Sequence, residues 1–151
     1  DELTYPTHVL IRYELEKEIF ETDVDINELP KKWADKYEEY LGIRPETFRE
    51  GILQDVHWSG GSFGYFSSYA RGSAYASQFY HAMCAEFDVE KELKSGSFEK
   101  INTYLRENIH QYGKYKNPEE IIMDTTQEKF NPNYYINYLR EKYGKLYVLC
   151  N

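Results

Sequence analysis

Of the four histidines in this 151-residue chain, one sits where side chains could do chemistry together. Gln54-Asp55-Val56-His57-Trp58 is followed, across a glycine-rich stretch, by Gly64-Tyr65-Phe66-Ser67-Ser68-Tyr69. That brings an imidazole, a carboxylate and two phenols to one loop entering a helix. Imidazole and phenol both donate hydrogen bonds while neutral, which suits them to stabilising an oxyanion as it forms. Asp55, two residues before His57, is expected to fix the imidazole tautomer. A second reading uses the same residues: a glycine-rich turn that packs Trp58, Phe63 and Phe66 into a core. The residues alone leave both open.

Other chemistries find less support. A helical zinc pair needs two ligands at i and i+4 on one face, and no His-x-x-x-His occurs. No Ser-His-Asp or Cys-His arrangement has a local signature. His8, His81 and His110 fall within helical patterns and read as structural. Cys84 follows Met83 and reads as a small buried hydrophobe. Gly60-Gly61-Ser62-Phe63-Gly64 lacks the preceding strand and following lysine of a phosphate-binding loop.

The elements that must hold the loop read as helices with short connections. Val9, Tyr13, Glu16 and Phe20 share a helical face over about residues 5–21, with Leu10, Ile11 and Leu15 beside them. Asn27-Glu28-Leu29-Pro30 starts a second helix, in which Leu29, Trp33, Tyr37 and Leu41 recur until Gly42 stops it. Residues 42–66 carry no apolar period, and ordered loops of that length are usually functional. Ser67 or Ser68 caps a run to about Phe87, with Ala70, Ser73, Ala74 and Ser77 forming a small-residue side. Asp88 caps a short helix to about Lys94. Phe98, Ile101, Leu105 and Ile109 recur up to Gly113. Asn117-Pro118-Glu119-Glu120 combines a cap, a proline in the first turn and a glutamate at the third position. Asn131-Pro132 repeats the device before Tyr135, Leu139, Tyr143 and Leu146. No alternating β-branched run appears, so the fold class is all-α, a multi-helix bundle.

Composition narrows the partners. Eighteen basic against 26 acidic residues give a net charge of −8, the wrong sign for meeting phosphates, so no nucleic-acid partner is expected. No stretch reaches the roughly 20 apolar residues of a membrane span, and no signal segment opens the chain. Cys84 and Cys150 make neither a disulfide framework nor a metal knuckle, which fits a reducing, cytoplasmic location. The length suits one domain. Sixteen tyrosines are an excess, and an opening Asp1 without methionine points to a processed, trimmed or fragmentary chain.

Gly51-Ile52-Leu53-Gln54-Asp55-Val56-His57-Trp58 resembles the Gly-x-x-Gln-Asp-x-His-Trp block of the carboxypeptidase Taq family of metallocarboxypeptidases. Ser62-Phe63-Gly64-Tyr65-Phe66, Tyr69, Gly72 and Gln78 continue the family's pattern, as does the opening Asp1-Glu2-Leu3-Thr4-Tyr5-Pro6. Phe130-Asn131-Pro132-Asn133-Tyr134-Tyr135, Tyr138-Leu139 and Lys142-Tyr143 resemble its carboxyl end. The resemblance covers essentially the whole chain. It departs at Ser67, where the family often has proline, and at Arg71, where it often has an aliphatic residue.

The resemblance implies the carboxyl-terminal part of a larger, nearly all-helical zinc peptidase that removes single residues from peptide carboxyl termini. The family's His-Glu-x-x-His metal helix is absent from these residues. Of its Ile-Arg-x-x-Ala-Asp block only the closing aspartate, Asp1, remains. His57 and Tyr65 would then face the metal site of the complete enzyme, with Tyr69 a second phenol. Gln54, Asp55, Trp58, Gly64 and Asp1 would bind substrate or support the loop. Zinc or another divalent metal would belong to the full-length enzyme, with none bound by this chain, which alone would be inactive. The implied partners are a peptide substrate, the missing amino-terminal part and a second copy in a homodimer. A non-catalytic helical module for peptide binding or subunit association is the alternative. A fragment of this kind is expected to expose the aromatic face that met its missing part.

Overall fold

The computed structural model describes residues 2–148; Asp1 and Cys150, both named above, lie outside the described residues. Among those described there are eight α-helices and no strand. They are α1 (Tyr5–Glu21), α2 (Leu29–Leu41), α3 (Val56–Ser59), α4 (Ser67–Glu86), α5 (Val89–Ser95), α6 (Glu99–Asn108), α7 (Pro118–Thr126) and α8 (Asn133–Leu146). The all-α class holds, and seven of these helices lie where apolar spacing or capping residues predict them. The eighth, α3, interrupts the irregular stretch. It forms because Asp55 caps it, accepting from the backbone N–H groups of His57 and Trp58, which helix starts leave unpaired.

The chain forms two compact units, one up to Arg71 and one from Gly72. In the first, Ile11, Leu15 and Trp33 make the core, and Tyr37, Leu41, Ile52 and Trp58 pack against it. Each such apolar side chain contributes about 1.5–3 kcal/mol when fully buried. Gly42 ends α2 in a left-handed conformation at φ 67°, where a side chain would be strained.

The buried stripe of α1 differs from the expected one. Val9, Ile11, Arg12, Leu15 and Glu16 are buried, whereas Tyr13 and Phe20 are exposed. Apolar residues occur nearly all round this helix, so their spacing does not select a face. The face is selected by Arg12 and Glu16, one turn apart, whose charges find partners inside the fold.

The second unit is centred on Met83, Val89, Ile101 and Tyr104, with Phe87 and Leu105 against them. Gln78 is buried in it: its carbonyl accepts from the Asn131 backbone N–H at 2.9 Å, and its amide donates to the Thr126 hydroxyl and the Lys129 carbonyl. One side chain thus satisfies the backbone of the α7–α8 connection. Cys84 is exposed, contrary to expectation. The buried residues of α4 are Ala74, Gln78 and Met83, and Cys84, one position on, turns away from that stripe.

The caps at Asp88 and Asn117 form as expected, the latter as a full capping box with Glu120. Replacing Asn117 by alanine is expected to cost about 1 kcal/mol, read as a lower urea midpoint. Asn131 behaves differently: Pro132 takes the cap position of α8 without a side-chain bond, and Asn131 Oδ1 accepts from the Asn133 N–H at 3.1 Å. Ser67 and Ser68 do not cap α4 with their hydroxyl oxygens; their O–H groups donate back to the carbonyls of Gly64 and Tyr65. None of the described helices is long and apolar enough to cross a membrane.

Candidate functional site

The site lies within the first unit, where α1 meets the loop leading into α4. Asp55 is 6% exposed, and its Oδ2 accepts from Arg12 Nε at 2.6 Å. Its Oδ1 accepts the backbone N–H groups of His57 at 2.9 Å and Trp58 at 2.8 Å. Both oxygens are therefore used, and the contact to residue 57 is to its backbone. The expected role of Asp55 in fixing the His57 tautomer is overturned: the capping geometry turns the carboxylate towards the peptide N–H groups and Arg12.

Arg12 is buried in turn, its guanidinium lying between the Trp33 ring at 4.6 Å and the Phe66 ring at 4.4 Å. Aromatic faces attract a cation most when it is removed from water. Its Nη1 donates to His8 Nδ1 at 2.9 Å, to the His8 carbonyl at 3.2 Å and to the Tyr37 hydroxyl at 3.3 Å. Arginine has no acceptor, so His8 Nδ1 must accept and His8 is neutral. Its pKa is accordingly lowered, by burial first and by the Arg12 charge second.

Glu16 holds the loop one turn further along α1. It is 5% exposed. Its Oε1 accepts the Trp58 indole N–H at 2.6 Å, and its Oε2 accepts the Gly64 backbone N–H at 3.0 Å. Gly64 has φ 74°, a conformation that side chains rarely adopt.

Above this framework the three expected catalytic residues come together. His57 Nε2 lies 3.3 Å from the Tyr69 hydroxyl. The His57 ring stacks on Tyr65 with centroids 5.9 Å apart, and meets Phe66 edge-on at 4.9 Å. Tyr65 and Tyr69 contact each other edge-to-face at 5.7 Å. Phe66 is buried, while Tyr65 is 56% exposed and Tyr69 is also open. The packing reading holds in part: Phe66 is buried and Trp58 half-buried, but Phe63, also expected in the core, is exposed, because it stacks on the outer side of Trp58. Gln54 donates to the Arg49 carbonyl, bracing the loop before Asp55.

A neutral imidazole carries one N–H and a phenol one O–H, so the 3.3 Å contact joins two groups that can each donate or accept.

Arg12 and Glu16 are the site-building residues that local reading misses. A carboxylate at position 16 on an apolar stripe was the available signal, since a buried charge requires partners. Among the described residues no group of three or more His, Cys, Asp or Glu is placed to hold a metal ion, and the site's donors do not fit one. Asp55 and Glu16 have their oxygens committed to N–H donors.

A match to the family model described as carboxypeptidase Taq (M32) metallopeptidase extends over residues 1–143. Carboxypeptidase 1 of Bacillus subtilis is 51% identical over 150 residues, which are 99% of this chain and 30% of that protein. Thermostable carboxypeptidase 1 of Thermus thermophilus is 38% identical over 97% of the chain and 29% of its own length. Among solved structures, an M32 carboxypeptidase from Deinococcus radiodurans superposes with a TM-score of 0.92 at 37% identity, covering 99% of this chain and 30% of that one. Metallocarboxypeptidase 1 of Trypanosoma cruzi gives 0.89 at 37% identity, over 95% of this chain and 30% of its own. The chain therefore spans about 30% of the length of the relatives it matches. With the Gln54–Trp58 block folded as the base of an aromatic site and nearly every residue matched, this chain belongs to the carboxypeptidase Taq family of metallopeptidases.

Proposed function

We propose that this chain is the carboxyl-terminal part of a metal-dependent carboxypeptidase, and that His57, Tyr65 and Tyr69 form its substrate-facing wall. The observation that carries the reading is the grouping of two exposed phenols around one imidazole, on a loop braced from beneath by two buried carboxylates.

On this reading the peptide's scissile carbonyl lies against Tyr65, and a phenol or imidazole proton is donated to its oxygen. Such a bond strengthens as the carbonyl oxygen gains negative charge, so it favours the transition state over the bound peptide. The donors cost little to orient because the loop is already held. A divalent metal, zinc in the simplest case, would be supplied by segments outside this chain, and no step here is routed through it. The same reading takes a peptide as substrate, the rest of the family fold as the covering partner, a homodimer as the assembled form and the cytoplasm as its location. The chain alone is inactive.

The test is a graft in which this chain replaces the matching residues of the Bacillus subtilis relative. The graft is expected to release carboxyl-terminal residues from a peptide, and the isolated chain to release none. A graft that folds and binds metal yet releases nothing would point instead to a non-catalytic module.

A further inference from the structure

Glu16 grips the two residues that flank the reactive turn. Trp58 follows His57 directly, and Gly64 directly precedes Tyr65. One buried carboxylate bonds both, taking the indole N–H on Oε1 and the glycine N–H on Oε2. The turn between them is tied further by bonds from the N–H groups of Gly60 and Ser62 to the His57 carbonyl, at 3.1 Å and 2.8 Å. Inside that turn Phe63 stacks on Trp58 with centroids 6.1 Å apart. The Arg12–Asp55 pair secures the entry to α3, and Arg12 also lies against the Phe66 ring beyond Tyr65. The closing end, at Gly64, is held to α1 by Glu16.

We propose that Glu16 is a positioning residue: by bridging Trp58 and Gly64 it sets the separation of the His57 ring and the Tyr65 phenol. This rests on the reading that those two groups act on substrate. Glu16 touches no substrate and works through the loop. A carboxylate suits the task because it accepts on both oxygens and donates on neither. Both incoming groups are N–H donors, so a neutral amide of the same shape would set its own N–H₂ against one of them. Charge-assisted bonds of this kind are also stronger than neutral ones.

The experiment uses this chain, isotopically labelled, as wild type, Glu16→Gln and Glu16→Ala. Three signals are followed by NMR: hydrogen exchange at the Gly64 amide, the Trp58 indole N–H, and the ring protons of His57, which Tyr65 and Phe66 shift by their ring currents. In Glu16→Gln, exchange at Gly64 is expected to accelerate about 10–100-fold, the factor matching loss of one charge-assisted hydrogen bond. The His57 ring signals are expected to move towards their unstructured positions, while the Trp33 indole and the helical circular dichroism stay in place. Glu16→Ala should show the same changes more strongly. If it unfolds, Glu16→Gln decides.

Unchanged His57 ring signals in Glu16→Gln would overturn the proposal, even with faster exchange at Gly64. Catalysis is read separately in the graft, where Glu16→Gln should lower kcat by about 10–100-fold with little change in KM, as expected of misplaced groups. A Tyr65→Phe graft of undiminished kcat would sink the functional reading instead. A Tyr65→Phe loss without any Glu16→Gln loss would sink only the positioning role.

Discussion

Replacing Asp55 by alanine is expected to lower the unfolding free energy of this chain by about 3–5 kcal/mol, because it strands a buried charge. Arg12 is 6% exposed, and a guanidinium side chain is a cation in proteins. Its aromatic neighbours and His8 attract or accept from the guanidinium but do not neutralise it. The same substitution also removes the cap of α3, worth about 1 kcal/mol. Natural domains are stable by only about 5–15 kcal/mol, so the variant would be largely unfolded at modest urea. Asp55→Asn separates the two effects, since its carbonyl can still accept at the cap while its charge is gone. Combining Asp55→Asn with Arg12→Met removes both charges together and is expected to be milder than the sum of the single changes. Urea denaturation of the four proteins gives the coupling directly. Strict additivity would show that the ion pair does not hold this corner.

Tyr65→Phe is expected to have the largest effect on catalysis. In the graft it should reduce kcat by on the order of 100–1,000-fold, the usual consequence of deleting one oxyanion donor. Metal content and thermal stability should be unaltered, because the phenol is exposed and its hydroxyl supports no buried contact. KM should change little if the bond is made chiefly in the transition state. Tyr69→Phe is expected to be milder, since it breaks the 3.3 Å contact to His57 but leaves an imidazole N–H to donate. A loss in Tyr69→Phe exceeding that in Tyr65→Phe would exchange their roles.

The helices were legible because they are marked locally. Gly42 in its left-handed conformation, the Asn117–Glu120 box and the steps of four from Leu29 to Leu41 each act within a few residues. The gathering of His57, Tyr65 and Tyr69 was legible for the same reason, since 12 residues and a turn separate the two bonded rings. What escaped was long-range. Arg12 meets Asp55 across 43 residues, and Glu16 meets Trp58 and Gly64 across 42 and 48. No periodicity announces a partner at that distance. For the same reason the expected face of α1, Val9, Tyr13, Glu16 and Phe20, is only half right: Val9 and Glu16 are buried, Tyr13 and Phe20 exposed. The charged side chains look like surface until the groups that satisfy them are known. Asp55 illustrates the reverse error: sequence proximity to His57 suggested the imidazole, whereas the nearest donors in space were peptide N–H groups and a distant arginine.

On the proposed function, the Tyr65–His57 wall binds the transition state more tightly than the substrate. The most direct measurement is the affinity of the graft for a phosphinic peptide, whose tetrahedral oxyanion resembles the intermediate, before and after Tyr65→Phe. This affinity is expected to fall by the same factor as kcat/KM, while binding of an uncleavable substrate-like peptide is nearly unchanged. Equal affinity of both proteins for the phosphinic peptide would contradict it.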